Sequence, residues 1–347
     1  MKVLVVKVSA LGDIVHALPV LPYLHSAVFD LRVDWLVEES FASLLEGHPL
    51  IRRLHRVNTR GWRRAGTRSL LSGAWQTVRA LQREKYDLVL DLQGNSKSAL
   101  FTRLAGGQRY GFDRDGVREW PNLLATNHQV RLTGADHHIS DRSLAIARAA
   151  VAGGEAPLAG PLTVLPAAAA HIEQTLAAFG LSGERLVVLH YGTTWPTKLW
   201  PLQSWQTLAA RLVDELALRP LLTWGNDEER RAAEAIGEAC GGAALLWPRG
   251  SLPELTALLA RADLVVGADT GPVHMAAAVD TPTVSLYRVT DAARNGPRGA
   301  RHVRLQAPME CSPCLRKSCE RDAECGRSIA VETVFQACAG QLAGEGR

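Results

Sequence analysis

Short apolar runs alternate with amphipathic stretches through most of the chain. In the first half the strand candidates are VLVVKV (3–8), LRVDWLV (31–37), IRRLHRV (51–57) and YDLVLDL (86–92), with helical periodicity at 14–27, 68–84, 96–105 and 139–151. Apolar runs this short, bounded by turn residues, suit strands buried on both faces. Their βαβα alternation predicts a parallel sheet covered by helices on both sides. The Gly-, Pro- and Ala-rich stretch VAGGEAPLAGPLTVLPAAAA (151–170) interrupts the pattern and reads as a linker. Beyond it the alternation restarts. RLVVLHYG (185–192), LRPLLTWG (218–225), AALLW (243–247), ADLVVGAD (262–269) and TPTVSLY (281–287) read as strands, and 202–216, 228–239, 252–261 and 271–279 as helices. The expected architecture is α/β: two Rossmann-like, doubly wound domains facing each other across a cleft, 1–160 and 161–330, with a last helix over 331–347. Ligands of such sheets bind beyond the carboxyl ends of the strands.

Composition agrees with this picture and narrows the partners. At 347 residues, 47% hydrophobic and 21% charged, the chain suits two folded domains and no disordered class. No apolar run approaches the roughly 20 residues of a membrane span. Lys7 and Asp13 interrupt the first apolar stretch, unlike a signal peptide, so a cytoplasmic location is expected. The net charge is only +4, but IRRLHRVNTRGWRRAGTR (51–68) holds seven arginines and no acid. Such a block is either a solvated face or the seat of an anionic partner. No helix-turn-helix, zinc-finger or RNA-binding signature accompanies it, and nucleic acid is not expected. Four of the six cysteines, Cys311, Cys314, Cys319 and Cys325, fall within 15 residues. In a cytosolic chain that clustering favours a metal over disulfides. The C-x2-C-x4-C-x5-C spacing is not a standard zinc-finger register, so a structural zinc or iron and a loop of reduced thiols both stay open. Cys240 and Cys338 read as core or incidental.

Candidate chemistry sits where strands end. Ser9 to Asp13 follows the first strand, where Gly12 allows a tight turn. Asp13 there is either a helix cap or, given a substrate hydroxyl within reach, a general base. In HYGTTWPTKLWP (190–201), Thr193, Thr194 and Lys198 suit a phosphate or pyrophosphate, although the P-loop pattern is absent. In GADTGPVHMAAA (267–278), Thr270 and Gly271 open a helix with Pro272 in its first turn, an anion-binding arrangement. Asp269 beside it is suited to orienting the loop or pairing with Lys198, and His274 to packing. In WGNDEERR (224–231), Glu228 and Glu229 fall in a first helical turn, where they suit the dipole or the hydroxyls of a ribose. No G-x-G-x-x-G follows any candidate strand, which argues against a nicotinamide-dependent dehydrogenase. A metal-bound interaction module would use the arginines and cysteines but leave the strand-end residues without a common purpose.

Taken together, K-x-S-x-x-G-D-x-x-H-x-L-P near the start, T-T-x-x-x-K-x-W-P in the middle and D-T-G-x-x-H later resemble glycosyltransferase family 9, the bacterial heptosyltransferases of the lipopolysaccharide inner core. FASLLEGHP, YDLVLDLQGNSKSA and GADTGPVHMAAAVDTPTVSLY extend the likeness in order along nearly the whole chain. TRGWRR (59–64), D-x-Q-G-x-x-K-S (91–98) and Arg118 point to the heptosyltransferase I branch. The resemblance implies a GT-B fold, inverting transfer with no metal required, and a final helix that packs back on the first domain. It implies Asp13 as general base toward the acceptor hydroxyl. Lys198, Thr193, Thr194, Thr270 and Gly271 would then face the diphosphate of ADP-L-glycero-D-manno-heptose, with Asp269 and His274 beside them and Glu228 or Glu229 at the ribose. Arg60, Trp62, Arg63, Arg64, Lys97 and Arg118 would receive an anionic Kdo-lipid A acceptor at the inner membrane, making the enzyme cytoplasmic and peripheral to that membrane. Gly61 stands where a basic residue is expected. The cysteine cluster resembles other branches of the family, which leaves a heptosylated core or a protein open as acceptor.

Overall fold

The apolar runs of the first half form strands β1 (Lys2–Val6), β2 (Arg32–Glu38), β3 (Arg53–Val57) and β4 (Leu88–Asp91). Two further strands, β5 (Gln108–Phe112) and β6 (His128–Val130), are too polar and short to announce themselves and lie on one flank of the sheet. The order is β3-β2-β1-β4-β5-β6, every pair parallel. Val3 pairs with Val33 on one side and Leu88 on the other, and Val3 to Val6 are fully buried, as their unbroken apolar run requires. The helix expected over 14–27 is two helices, Leu11–Ala17 and Val20–Ala27. Pro19, which lacks an N–H, sits between them.

This computed structural model describes residues 1–344, and the chain divides into two units between Thr163 and Val164. The second unit repeats the plan. Strands β7 (Val187–His190), β8 (Leu221–Thr223), β9 (Leu245–Leu246), β10 (Leu264–Ala268), β11 (Thr283–Tyr287) and β12 (His302–Gln306) form a parallel sheet ordered β12-β11-β10-β7-β8-β9. Counted from its own first strand this is again 3-2-1-4-5-6, so both units are doubly wound. The stretch read as a linker is partly helical, because Pro166 starts the helix Pro166–Ala178 at a position that needs no N–H. The last helix, Val331–Gly344, turns Val334, Phe335, Cys338 and Leu342 into the second unit's own core. The helix as described thus contributes to the core of the second unit, and residues 345–347 of the helix expected over 331–347 lie outside the described residues.

In each sheet the strand order reverses beside the unit's first strand, between β1 and β4 and between β7 and β10. Loops leaving those strands splay apart and open a crevice. Of the loops singled out in the sequence, those after β1, β4, β7 and β10 leave these strands, and WGNDEERR follows the neighbouring β8.

The fold also divides the arginine block. Arg52 makes a two-pronged bond to the buried Asp34 (2.9 and 2.6 Å), Arg53 pairs with Glu84, and Arg56 pairs with Glu46 at 2.6 Å. Asp34 also accepts from the Tyr86 hydroxyl at 2.6 Å. Arg60, Arg63, Arg64 and Arg68 are exposed and form no ion pair among the described residues. Three of the seven arginines are thus structural, paired with acids elsewhere in the sequence.

Candidate active site

The first crevice is built around Asp13. Helix Leu11–Ala17 starts after Ala10, which has no side-chain acceptor for the free amides of the first turn. Asp13, at the third helical position, reaches back and accepts from the Ala10 N–H at 3.3 Å. The same oxygen accepts from Arg118 Nη2 at 3.0 Å. Arg118 is fixed by its backbone, since its N–H and that of Glu119 both donate to the Gly94 carbonyl at 3.0 Å. Gly94, at φ +68°, is held in turn by the buried Asp91, which accepts from the Gly94 N–H at 2.9 Å. Gln93 joins the two loops, its side-chain oxygen accepting from the Val8 and Ser9 amides at 3.0 Å each.

A cation that the sequence motif contains but that was assigned no role completes this cluster. Lys7 is buried, donates to the Leu92 carbonyl at 2.9 Å and lies within electrostatic reach of Asp13. Burial pulls its pKa down to about 8 against the opposing pull of Asp13. For Asp13, burial alone would raise the pKa, but the charges of Lys7 and Arg118 and the bonds from Arg118 and Ala10 outweigh it. The result is a carboxylate held ionised, below its usual range. Both the cap-like bond and the charged cluster are present. Arg118 belongs to Asp13 as much as to any acceptor.

The other predicted acceptor residues divide into exposed and packed. Helix Thr59–Arg64 is started by Asn58, which accepts from the Gly61 N–H at 2.8 Å, and by Glu38, which accepts from the Thr59 hydroxyl at 2.9 Å. A Cβ at Gly61 would come within 2.5 Å of the Asn58 side-chain oxygen, which explains glycine where a basic residue was expected. Trp62 lies against Gly73 and the apolar core, so its ring anchors the helix rather than standing free as a binding platform. Arg60, Arg63 and Arg64 project from that anchored helix into solvent. Lys97, in the first turn of helix Ser96–Ala105, sits within electrostatic reach of Glu119, which accepts from the Ser96 N–H at 2.9 Å.

The second crevice centres on Asp269 and Lys198. Lys198 closes the turn Pro196–Lys198 and donates to Asp269 Oδ2 at 2.7 Å, its ammonium 5.0 Å from the centre of the Trp195 ring. Asp269 is buried at the end of β10, with its other oxygen 3.2 Å from His274 Nε2. Burial alone would raise its pKa, but His274 and Lys198 together hold it far below the carboxylate range. Thr270 starts helix Gly271–Ala278 without a side-chain cap bond. The Thr193 hydroxyl is buried with no hydrogen-bond partner among the described residues, and Thr194 is exposed.

Glu228 and Glu229 part company. Glu229 accepts from the Gly225 N–H at 2.7 Å and from Asn226 Nδ2 at 2.8 Å, which turns its carboxylate back to the strand ends. A Cβ on Gly192 would meet that carboxyl at 2.2 Å, so glycine admits the two loops to each other. Glu228 is exposed and acts on Tyr191 only through its charge, adding to the burial that raises the tyrosine's pKa.

Cys311, Cys314 and Cys319 line one cavity, and Cys325 lies within electrostatic reach of Cys311 and Cys314. All four are free thiols, Cys325 buried and Cys311 exposed, and no three His, Cys, Asp or Glu side chains converge as ligands among the described residues. The segment is tied to the Lys198 loop. Buried Arg288 donates to the Leu199 carbonyl and to Asp322, and the Thr197 hydroxyl donates to the Arg316 carbonyl at 2.7 Å.

Comparison with known proteins places these features. A model of "Glycosyltransferase family 9 (heptosyltransferase)" matches residues 74–323. Lipopolysaccharide heptosyltransferase 1 of Pseudomonas aeruginosa is 36% identical over 330 residues, covering 92% of this chain and 87% of that one. Among solved structures, E. coli heptosyltransferase WaaC with ADP is 30% identical with a TM-score of 0.79, over 98% of this chain and all (100%) of that one. The same enzyme with ADP-2-deoxy-2-fluoro heptose gives 0.77 at 30% identity, over 98% and 99%. The two doubly wound sheets therefore make up a GT-B fold. With the family model matched over most of its length and a relative at 36% identity along nearly all of it, the chain belongs to glycosyltransferase family 9, the heptosyltransferases.

Proposed function

We propose that this enzyme moves L-glycero-D-manno-heptose from ADP-heptose to a Kdo-lipid A type acceptor in lipopolysaccharide inner-core synthesis, with inversion and with Asp13 as general base. The observation that carries the reading is the pair of charged clusters at the two switch points. One holds a carboxylate ionised beside Lys7 and Arg118, and the other fixes Lys198 on the buried Asp269. The heptosyltransferase 1 relative and the structure with an ADP-heptose analogue support the donor and the pathway.

In this reaction the acceptor oxygen bonds to the anomeric carbon while the bond from that carbon to the β-phosphate oxygen breaks. ADP leaves with the electron pair, and Asp13 takes the hydroxyl proton. Lys198, the Thr193 and Thr194 hydroxyls and the Thr270–Gly271 amides stabilise the charge growing on the diphosphate. Asp269 and His274 hold Lys198 and the loop in place, and Glu229 takes the ribose hydroxyls. Arg60, Arg63 and Arg64, with Lys97 and Arg118, meet the acceptor's carboxylates and phosphates, for which guanidinium forks are suited. No step is assigned to a metal. A lipid-linked acceptor places the enzyme at the cytoplasmic face of the inner membrane.

The direct test is transfer from ADP-heptose to Kdo2-lipid A, followed by ADP release, by the mass of the lipid product and by the anomeric configuration of its new linkage in NMR. Transfer with inversion supports the reading. Donor binding without transfer moves the acceptor to another molecule, and no donor binding overturns the proposal.

Two variants examine its parts. Lys7→Met removes a positive neighbour of Asp13, so the Asp13 pKa rises and the base is lost at higher pH. The acid limb of kcat/KM should therefore move to higher pH relative to wild type; an unmoved limb would take Lys7 out of the site. Gly192→Ala should push the Glu229 carboxylate aside, a flexible side-chain end whose displacement costs the fold little. ADP should bind roughly tenfold weaker, as for losing a charged hydrogen bond, with Tm nearly unchanged, whereas Glu228→Ala should leave ADP binding alone. Calorimetric titration with ADP decides between the two glutamates.

A further inference from the structure

Eleven large apolar side chains are exposed among the described residues, and six of them lie on three neighbouring elements of the first domain. Leu71 and Trp75 are on helix Thr67–Glu84, Leu100 and Leu104 on helix Ser96–Ala105, and Trp120 and Leu124 on the turn Trp120–Leu124. Helix Ser96–Ala105 packs against both of the others, so the three form one side-by-side surface. Scattered exposed leucines need no explanation, but a collection of this kind does.

The spacing shows that these residues line stripes. Arg68, Leu71, Trp75 and Arg79 recur at i, i+3, i+7 and i+11 on the exposed face of helix Thr67–Glu84, and Val78 and Leu81 face the core. The Arg79 guanidinium stands 5.0 Å from the Trp75 ring centre. On the next helix Lys97, Leu100 and Leu104 follow at i, i+3 and i+7, with Arg103 exposed alongside. The charge around the stripe is predominantly positive, with Glu119, which accepts from the Ser96 N–H beside Trp120, as an acid at its edge. From Thr59 to Arg83 there are six arginines and no acid, and helix Ser96–Ala105 carries no acid either.

We propose that this α-helical face is a docking surface for an anionic phospholipid bilayer, with Leu71, Trp75, Leu100, Leu104, Trp120 and Leu124 entering the headgroup layer and the arginine rim meeting lipid phosphates. Apolar and Trp side chains on one side of a helix, flanked by Arg, are the composition that lies in a membrane interface. Each cation near such a surface adds attraction that salt screens. Charge complementarity selects this occupant over a second copy of the chain, because two copies of the face would bring like-charged arginine rims together. The surface runs into the Asp13 cluster, since Arg118, bonded to Asp13, is two residues before Trp120. The docking surface deepens the membrane placement proposed above and rests on that reading only for which membrane is met.

The test uses the full chain and vesicles, with neither donor nor acceptor present, so its failure leaves the transfer reading standing. Wild type should sediment with phosphatidylethanolamine/phosphatidylglycerol vesicles, at least tenfold more strongly than with phosphatidylcholine, and should release as NaCl rises from 50 to 500 mM. Leu71→Gln/Trp75→Gln and Trp120→Gln/Leu124→Gln should each weaken binding at least tenfold with Tm retained. Phe29→Gln, at the 99% exposed Phe29 outside these three elements, should not. Quenching of wild-type tryptophan fluorescence by brominated acyl chains reads insertion without any substitution. Equal binding to neutral vesicles, no quenching, or variants that bind like wild type would overturn the proposal. So would a wild-type dimer, seen by light scattering, that both double variants dissolve without change in vesicle binding.

Discussion

Asp13→Asn should lower turnover roughly 10²–10⁴-fold, the range contributed by a positioned general base, while ADP-heptose still binds within about twofold. Asparagine is the informative choice because it keeps a side-chain oxygen where Asp13 meets the Ala10 N–H and Arg118. Helix Leu11–Ala17 therefore keeps its start, and the stability cost should stay near that of a weakened cap, about 1 kcal/mol. What the substitution removes is the negative charge and the capacity to accept a proton. If Asp13 served only the helix, Tm would fall slightly and kcat would stay within about tenfold of wild type. The depressed pKa of Asp13 sharpens the expectation. A carboxylate held ionised by Lys7 and Arg118 is in its basic form across neutral pH, so the wild-type rate should be flat on the acid side until well below pH 5. Measuring kcat by ADP release, donor Kd by calorimetry and Tm on the same preparations separates the two roles.

How much of this was legible in the sequence follows the physics of each residue. Strands β1, β4, β7 and β10 are buried on both faces and declare themselves as apolar runs, and the loops after them carried the motifs. The edge strands β5, β6 and β12 meet one neighbour each or lie near the rim; QRYGF and HQV carry no clear alternation, and HVRLQ alternates over only five residues with two apolar ones. Lys7 sits inside an apolar run and looked like an interruption of it. Only the fold shows that its ammonium reaches the Leu92 carbonyl beyond the neighbouring strand, beside Asp13. Arg118 lies 105 residues from Asp13, and no local pattern joins them. The same reason hid the partners of Arg52, Arg53 and Arg56, so the acid-free block overstated the free charge. Trp62 was assigned to the acceptor by the family resemblance alone, and no local pattern shows that Gly73, eleven residues on, gives its ring a place to pack. Spacing alone groups the four cysteines but does not say what they hold.

Lys198→Gln is expected to reduce kcat by about 10²–10³, the effect of removing one preorganised donor to a developing negative charge. The amide can still donate to Asp269, so the loop keeps its hydrogen bond and loses only the cation. Lys198→Ala removes both. It leaves Asp269, buried and ionised, with His274 at 3.2 Å and Asn295 at 3.4 Å as side-chain partners. Breaking a buried pair from one side costs about 3–5 kcal/mol, and the remaining bonds put this case at the lower end. Tm should therefore fall clearly for Lys198→Ala and little for Lys198→Gln, while both lose turnover. The split between kcat and binding carries the mechanistic content. Charge on the β-phosphate oxygen grows as the bond to the sugar breaks, so the lysine should matter more in the transition state than in the complex with ADP-heptose. Donor affinity should weaken about tenfold, against the larger loss in kcat. If Lys198 merely shaped its loop, turnover would track Tm: Lys198→Gln would be near wild type and Lys198→Ala would lose both together. A Lys198→Gln enzyme with kcat within threefold of wild type would remove the cation from the chemistry and leave Asp269 and Lys198 as a structural pair.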